Sequence, residues 1–176
     1  MKTDDYSALA PAKVNLFLHV GPVQPNGRHP LDSLVMFAGE AAADRLSVMT
    51  SDDLSMTLTG PGMTNPDHIG PVDDNLVLRA ARALQAETGS TQGAAFTLEK
   101  LLPIAAGIGG GSADAAAALR LLTDLWGTDT AAAHKIAPAL GGDVPVALQG
   151  HAALMQGEGE RIRRAPDLPR VPALLV

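Results

Sequence analysis

Four glycines in five positions, Gly107, Gly109, Gly110 and Gly111, are followed at once by Ser112 and an alanine-rich run. Clustered glycines cost backbone entropy, a cost that makes sense where the main chain must approach something closely or take a positive φ. The loop runs straight into residues of high helix propensity, and loop amides beside a helix N-terminus make an anion site suited to phosphate. Ser112 is placed either to cap that helix or to offer its hydroxyl to a metal-bound phosphate. A flexible turn before an alanine-rich helix is the plainer alternative. Two familiar phosphate loops are excluded: no lysine follows the last glycine as in Walker A, and Ser112 occupies the last glycine position of a dinucleotide fingerprint.

A second candidate lies near the N-terminus. Val14, Leu16, Leu18 and Val20 alternate with Lys13, Asn15, Phe17 and His19, a period of two that predicts a strand with Lys13 and Asn15 on one face. Lys13 alone reads as a solvated strand residue, and Asp143, ahead of Val144-Pro145-Val146, as a helix cap. His19, His68, His134 and His151 show no metal-ligand spacing. The sequence has no cysteine, which excludes thiol catalysis, Cys-ligated zinc and disulfides.

The elements that must position these residues follow from the pattern. Strands are predicted at Leu34 to Ala38, Arg45 to Thr50, Leu54 to Thr59, Ala94 to Glu99 and Ala152 to Gln156. A loop spans Thr59 to Asp73. Asp73 or Asp74 is expected to cap a helix from Asn75 to Ala86 that turns Leu76, Val77, Ala80 and Leu84 inward. The strongest helix is Ser112 to Trp126, and a shorter one follows Thr130 and ends before Gly141-Gly142. With 46% hydrophobic and only 3% aromatic residues, the core must be built mostly of Ala, Leu, Val and Met. The net charge of −6, with Arg161, Arg163 and Arg164 the one basic cluster, points away from nucleic acid. The acidic start lacks the apolar stretch of a signal peptide, and no run of about 18 apolar residues occurs, so no membrane span and a cytoplasmic location are expected.

Pro103-Ile104-Ala105-Ala106-Gly107-Ile108-Gly109-Gly110-Gly111-Ser112 resembles the phosphate loop of the GHMP kinases, and Pro11-Ala12-Lys13-Val14-Asn15-Leu16 resembles their first motif. Gly27-Arg28-His29, Asp74-Asn75-Leu76 and Gly141-Gly142-Asp143-Val144-Pro145-Val146 are similar, in order, to the diphosphocytidyl-methylerythritol kinase branch. The resemblance covers about Ala10 to Gly157. It implies an α+β fold, the N-terminal nucleotide-binding domain of that superfamily, with helices packed on a mixed sheet.

The resemblance also implies an ATP:alcohol phosphotransferase of isoprenoid precursor synthesis, with ATP as co-substrate, Mg²⁺, and diphosphocytidyl methylerythritol as the small-molecule partner. Asp143 would take or orient the substrate proton and Lys13 would be the cation beside it. Residues 103 to 113, with Asn75 and Lys100, would hold ATP, Ser112 would be a possible magnesium contact, and Asn15, His29 and Asp143 would face the acceptor. The alternatives are another GHMP small-molecule kinase, or a catalytically incomplete nucleotide-binding fragment. Family members continue into a second domain, and the apolar Ala173-Leu174-Leu175-Val176 end reads as a cut, so residues 1–176 are expected to be one domain stopping before or at the start of that second one. Two departures stand out: Arg28, where the family commonly has an aromatic, and Ala113, where it has a second serine.

Overall fold

The computed structural model describes residues 6–63, 71–104 and 106–174. Part of the predicted 59–73 loop including His68, together with Ala105 and the last two residues of the apolar terminal run, lies outside the described residues. The chain forms strands β1 (Tyr6–Pro11), β2 (Lys13–Val20), β3 (Leu31–Phe37), β4 (Ala43–Ser51), β5 (Leu54–Thr59), β6 (Gly93–Glu99), β7 (Ala153–Gly157) and β8 (Arg161–Arg164). The helices are α1 (Leu76–Thr88), α2 (Gly110–Trp126), α3 (Thr130–Leu140) and α4 (Val144–Gln149).

The class is α+β, as the sequence predicts, but the strands divide into two four-stranded sheets. One is mixed, ordered β1-β4-β6-β5 with β5 and β6 parallel, and the other, β2-β3-β7-β8, is antiparallel throughout. Ala12 is where the chain leaves the first sheet for the second. Its N–H donates to Ala42 O and its carbonyl accepts from Ala38 N–H, so β1 before it pairs with β4 while β2 after it pairs with β3.

The main core lies between the mixed sheet and α1 and α2. Leu46, Val48, Phe96 and Leu98 from the sheet meet Val77, Ala81 and Leu84 of α1 and the Ala115 to Leu119 run of α2. α2 is buried around most of its circumference, which explains its alanines: a helix apolar on all sides belongs inside, and small side chains let neighbours approach. A smaller core of Val35, Ala153 and Met155 covers the second sheet. The short α4 joins the two, sending Val144 to the first core and Val146 to the second.

Several local expectations change. β1 was hidden because its alternation is carried by small residues and becomes a strand only through pairing with β4. β8, nearly all arginine, is an edge strand whose charges face solvent. Asn75 caps α1, not Asp73 or Asp74: its Oδ1 accepts Val77 N–H at 2.9 Å, while the two aspartates occupy the preceding 3₁₀ turn. α2 starts at Gly110 with Gly109 as its cap residue, which places Ser112 inside the first turn instead of at the cap. The alternation of β2 is interrupted by a bulge between Asn15 and Phe17, and Val14, Leu16, Leu18 and Val20 all stay exposed. Among the described residues no helix is long and apolar enough to cross a membrane.

Burial separates two leucines of equal hydrophobicity. Leu122→Ala in the main core is expected to lower unfolding free energy by about 2–5 kcal/mol, whereas Leu18→Ser on the exposed face of β2 should change it by less than about 0.5 kcal/mol. Urea unfolding of both variants measures the difference.

Candidate active site

Lys13 opens β2 immediately after the crossing residue Ala12, and its backbone N–H donates to Ile108 O at 2.8 Å, docking the glycine loop on the start of the strand. Its side chain is buried. Nζ donates to Asn15 Oδ1 at 2.9 Å, confirming the shared face, and lies 3.4 Å from Asp143 Oδ2. Asn15 is held in turn: its Nδ2 donates to Ser33 Oγ at 2.7 Å, and that hydroxyl donates to Phe17 O at 2.7 Å. The ammonium is therefore aimed by a relay anchored in the second sheet.

Asp143 stands at the cap position of α4, but its side chain makes no cap hydrogen bond. Its φ of −90° and ψ of −13° are right-handed helical, not the extended geometry of a usual cap residue. The carboxylate turns towards Lys13. Beside the pair is Gly109, at φ 69°, where a Cβ would stand 3.4 Å from Lys13 Cβ and Cε and 3.5 Å from Asp143 Oδ2. The left-handed backbone is what calls for glycine here. Ser112 Oγ faces Gly141, just ahead of Asp143.

On the other side of the loop is an open cavity of about 400 Å³. Pro103, Ile104, Ala106 and Gly107 through Ser112 line it, as do Asn75 and Lys100, while Leu58, Met63 and Leu76 give it an apolar wall. Ala113 is buried in α2 and does not line it, Ala105 lies outside the described residues, and Asn15 and His29 are elsewhere. Asn75 spends Oδ1 on its helix cap, which leaves the amide nitrogen for the cavity. His29 is exposed on the loop between β2 and β3, where its Nδ1 bonds Gly21 O at 2.8 Å. Arg28 beside it is engaged by Glu158 at 2.8 Å, from the turn between β7 and β8.

Sequence reasoning missed the partners of Lys100. The side chain is buried between Asp44 and Asp114: it donates to Asp44 Oδ2 and, at 2.8 Å, to Asp114 Oδ2. Asp44, at 0% exposure, also accepts Leu101 N–H at 2.6 Å and Leu102 N–H at 2.8 Å through Oδ1. Asp114 Oδ1 is buried and has no hydrogen-bond partner among the described residues. Burial pushes the Asp114 carboxyl up to about 7, against the attraction of Lys100 and helped by the proximity of Asp44. Burial alone would lower Lys100, but Asp114 and Asp44 outweigh it and the ammonium is held above its usual range. Burial thus draws Asp114 towards its neutral form while the two carboxyl groups hold the ammonium charged. The available signal was Asp114 itself, a lone acid in an alanine run.

No group of three or more His, Cys, Asp or Glu side chains suited to a metal occurs among the described residues. The oxygen-bearing side chains of the cavity include Ser112, Asp74 and Asp114, with the Asp143 carboxylate on the far side of Gly109. Such a sparse set fits a Mg²⁺ that takes most of its ligands from phosphates and water, as this ion does in nucleotide sites.

Residues 75–151 match the family of GHMP kinases N terminal domain, a stretch that contains the glycine loop, α2 and Asp143. Over 170 residues the chain is 60% identical to the 4-diphosphocytidyl-2-C-methyl-D-erythritol kinase of Hyphomonas neptunium, covering 97% of this chain and 56% of that protein. It also matches a crystal structure of 4-(cytidine 5'-diphospho)-2C-methyl-D-erythritol kinase with a TM-score of 0.71 and 36% identity, covering 95% of this chain and 61% of that one. Homoserine kinase from Cytophaga hutchinsonii, at 18% identity and a TM-score of 0.64, shares the fold. The chain spans little more than half the length of the relatives it matches.

The buried carboxyl gives stability a pH signature. Asp114 holds its proton up to about pH 7 in the folded protein, whereas an unfolded aspartate releases it near pH 4. Between these values the native state binds more protons than the unfolded state, so this contribution to stability is lost as pH rises from about 4 through about 7. Asp114→Asn should flatten that fall. Urea midpoints of both proteins at pH 5 and pH 8 test it: the difference between wild type and variant should shift in favour of the variant at the higher pH.

Proposed function

The chain belongs to the GHMP superfamily of kinases, and from that premise we propose that it carries the nucleotide side of an ATP-dependent kinase that phosphorylates a hydroxyl of 4-diphosphocytidyl-2-C-methyl-D-erythritol, in the methylerythritol phosphate route to isoprenoid precursors. The observation that carries the reading is the Lys13–Asp143 pair, 3.4 Å apart beside Gly109 at the end of the glycine loop. Phosphate binding alone has no need of such a pair. A hydroxyl to be phosphorylated needs a proton acceptor and a nearby positive charge. Likeness to the Hyphomonas neptunium kinase over nearly the whole chain supports this substrate over those of other superfamily members.

In this reading the triphosphate lies along Gly107 to Ser112, where loop amides and the N-terminus of α2 receive its charge. Bound Mg²⁺, with Ser112 within its surroundings, supplies further charge neutralisation. The apolar wall of Leu58, Met63 and Leu76 takes the base, with Asn75 and Lys100 at its margin. The acceptor approaches from the side of Asn15 and His29. Its hydroxyl oxygen forms a bond to the γ-phosphorus, the bond from that phosphorus to the β–γ bridging oxygen breaks, ADP leaves with the electron pair, and the hydroxyl proton passes to Asp143. Lys13 offsets the charge that develops between them, and orientation does most of the work, as is usual in phosphoryl transfer. Residues 1–176 form the nucleotide side of the cleft, and the rest of the acceptor side comes from sequence of the kind the relatives carry outside the matched portion.

Transfer from ATP to diphosphocytidyl methylerythritol is to be measured with the chain alone and with the chain joined to the remaining portion of the Hyphomonas neptunium relative. The joined form should turn over and the chain alone should bind ATP but transfer poorly, because half a cleft aligns its acceptor badly. In the active form Asp143→Asn should lower turnover by at least about 100-fold with ATP affinity unchanged, and Lys13→Met should also lower it. Turnover within a fewfold of wild type for Asp143→Asn would remove Asp143 from the chemistry, and transfer to other alcohols but not this one would overturn the substrate.

A further inference from the structure

The glycine loop is tethered at three places. Its middle hangs from Lys13 N–H through Ile108 O, and both its ends come to Lys100. At the entry, Asp44 receives the N–H groups of Leu101 and Leu102, the first two residues after Lys100, with one carboxylate oxygen and the Lys100 ammonium with the other. At the exit, that same ammonium bonds Asp114 in the first turns of α2. The ammonium lies directly beneath the loop: a Cβ on Gly110 would stand 3.6 Å from Lys100 Nζ and 3.7 Å from Asp44 Oδ2.

We propose that Asp44 and Asp114, acting through Lys100, are positioning residues that clamp the two ends of the glycine loop in its phosphate-receiving shape. The inference rests on reading the cavity as the nucleotide site, and it goes beyond that reading by naming what orders the loop. A loop of this glycine content has more freedom to lose than any other kind, so a loop left free must be ordered by its ligand at the expense of affinity. A loop already fixed at both ends avoids that loss. Lys100 serves the clamp better than a neutral donor because an ammonium has three hydrogens and no acceptor, so it can bond two carboxylates from different elements at once. Asp114 sits in a helix of alanines, where a carboxyl contributes nothing to packing, and its Oδ2 is given to Lys100 while Oδ1 has no hydrogen-bond partner among the described residues.

The test compares Asp114→Ala with Asp114→Asn, the first a favourable helix residue that removes the acceptor and the second one that keeps an oxygen for Lys100. Two quantities are read on the chain: hydrogen exchange of amides 106–112 without nucleotide, and ATP affinity by calorimetry. Loss of one charged hydrogen bond should accelerate loop exchange and weaken ATP binding by about tenfold each in Asp114→Ala, with exchange in α1 and β4 unchanged. Asp114→Asn should return both towards wild type. Asp44→Asn, which weakens the entry side, should act like Asp114→Ala and serves if that variant does not fold. Loop exchange equal to wild type in a folded Asp114→Ala protein overturns the clamp. ATP that fails to bind wild type overturns the nucleotide reading instead, and the exchange comparison still decides the clamp.

Discussion

A carboxylate shut away from water must find partners for its lone pairs, and Asp44 finds three: the N–H groups of Leu101 and Leu102 and the ammonium of Lys100. Leaving any of them out would cost several kcal/mol of desolvation, so the requirement fixes the local path of the chain more firmly than strand propensity does. β6 runs out just past Glu99: Lys100 N–H still donates to Thr59 O, and the following N–H groups, of Leu101 and Leu102, turn inward to Asp44 and leave the ladder. From the opposite side the backbone of residues 60–62 closes on Lys100, whose carbonyl accepts Gly62 N–H at 2.7 Å, and a Cβ on Gly62 would fall 2.5 Å from Leu102 O. With its departure point held from both sides, the glycine loop can only run out over the start of β2.

That path brings together groups that sequence keeps far apart. Lys13 comes from the point where the chain crosses between sheets, Asp143 from the junction of α3 and α4, and the loop between them from the end of β6. Alanine makes the meeting possible. Ala10 and Ala12 at the crossing, and Ala115 to Ala118 on α2, are buried with no room for a longer side chain to hold the layers apart. The low aromatic content is thus a property of the geometry: a larger core would move α2, and with it the loop, away from Lys13.

What the sequence disclosed were features written into neighbouring residues. The loop, the helix after it, and the common face of Lys13 and Asn15 all follow from backbone preference or a period of two, and these reach only a few positions along the chain. Asp44 was invisible because its meaning lies in Lys100, 56 residues away, and Asp114 stands out only as a lone acid among alanines whose partner is 14 residues distant. β1 and β8 were invisible for a related reason, since a strand of small or charged residues is defined by its partner. The aspartates ahead of α1 misled because three polar residues in succession can all cap, and the choice of Asn75 depended on where the 3₁₀ turn ended. Asp143 has the local grammar of a cap, yet its side chain makes no cap hydrogen bond and turns to Lys13.

The two lysines of the site show how burial divides structural from chemical charge. Lys100 gives its bonds to two carboxyl groups that are almost wholly inaccessible, with little left to offer a reacting atom. Lys13 is equally buried, yet its carboxylate partner is 36% exposed and stands at 3.4 Å, too far for a closed ion pair of the tight kind. The tight triad and the loose pair lie on the two sides of one glycine loop, with Gly110 over the first and Gly109 beside the second. Two adjacent glycines thus bring one turn of backbone against a closed buried group on one hand and an open pair on the other.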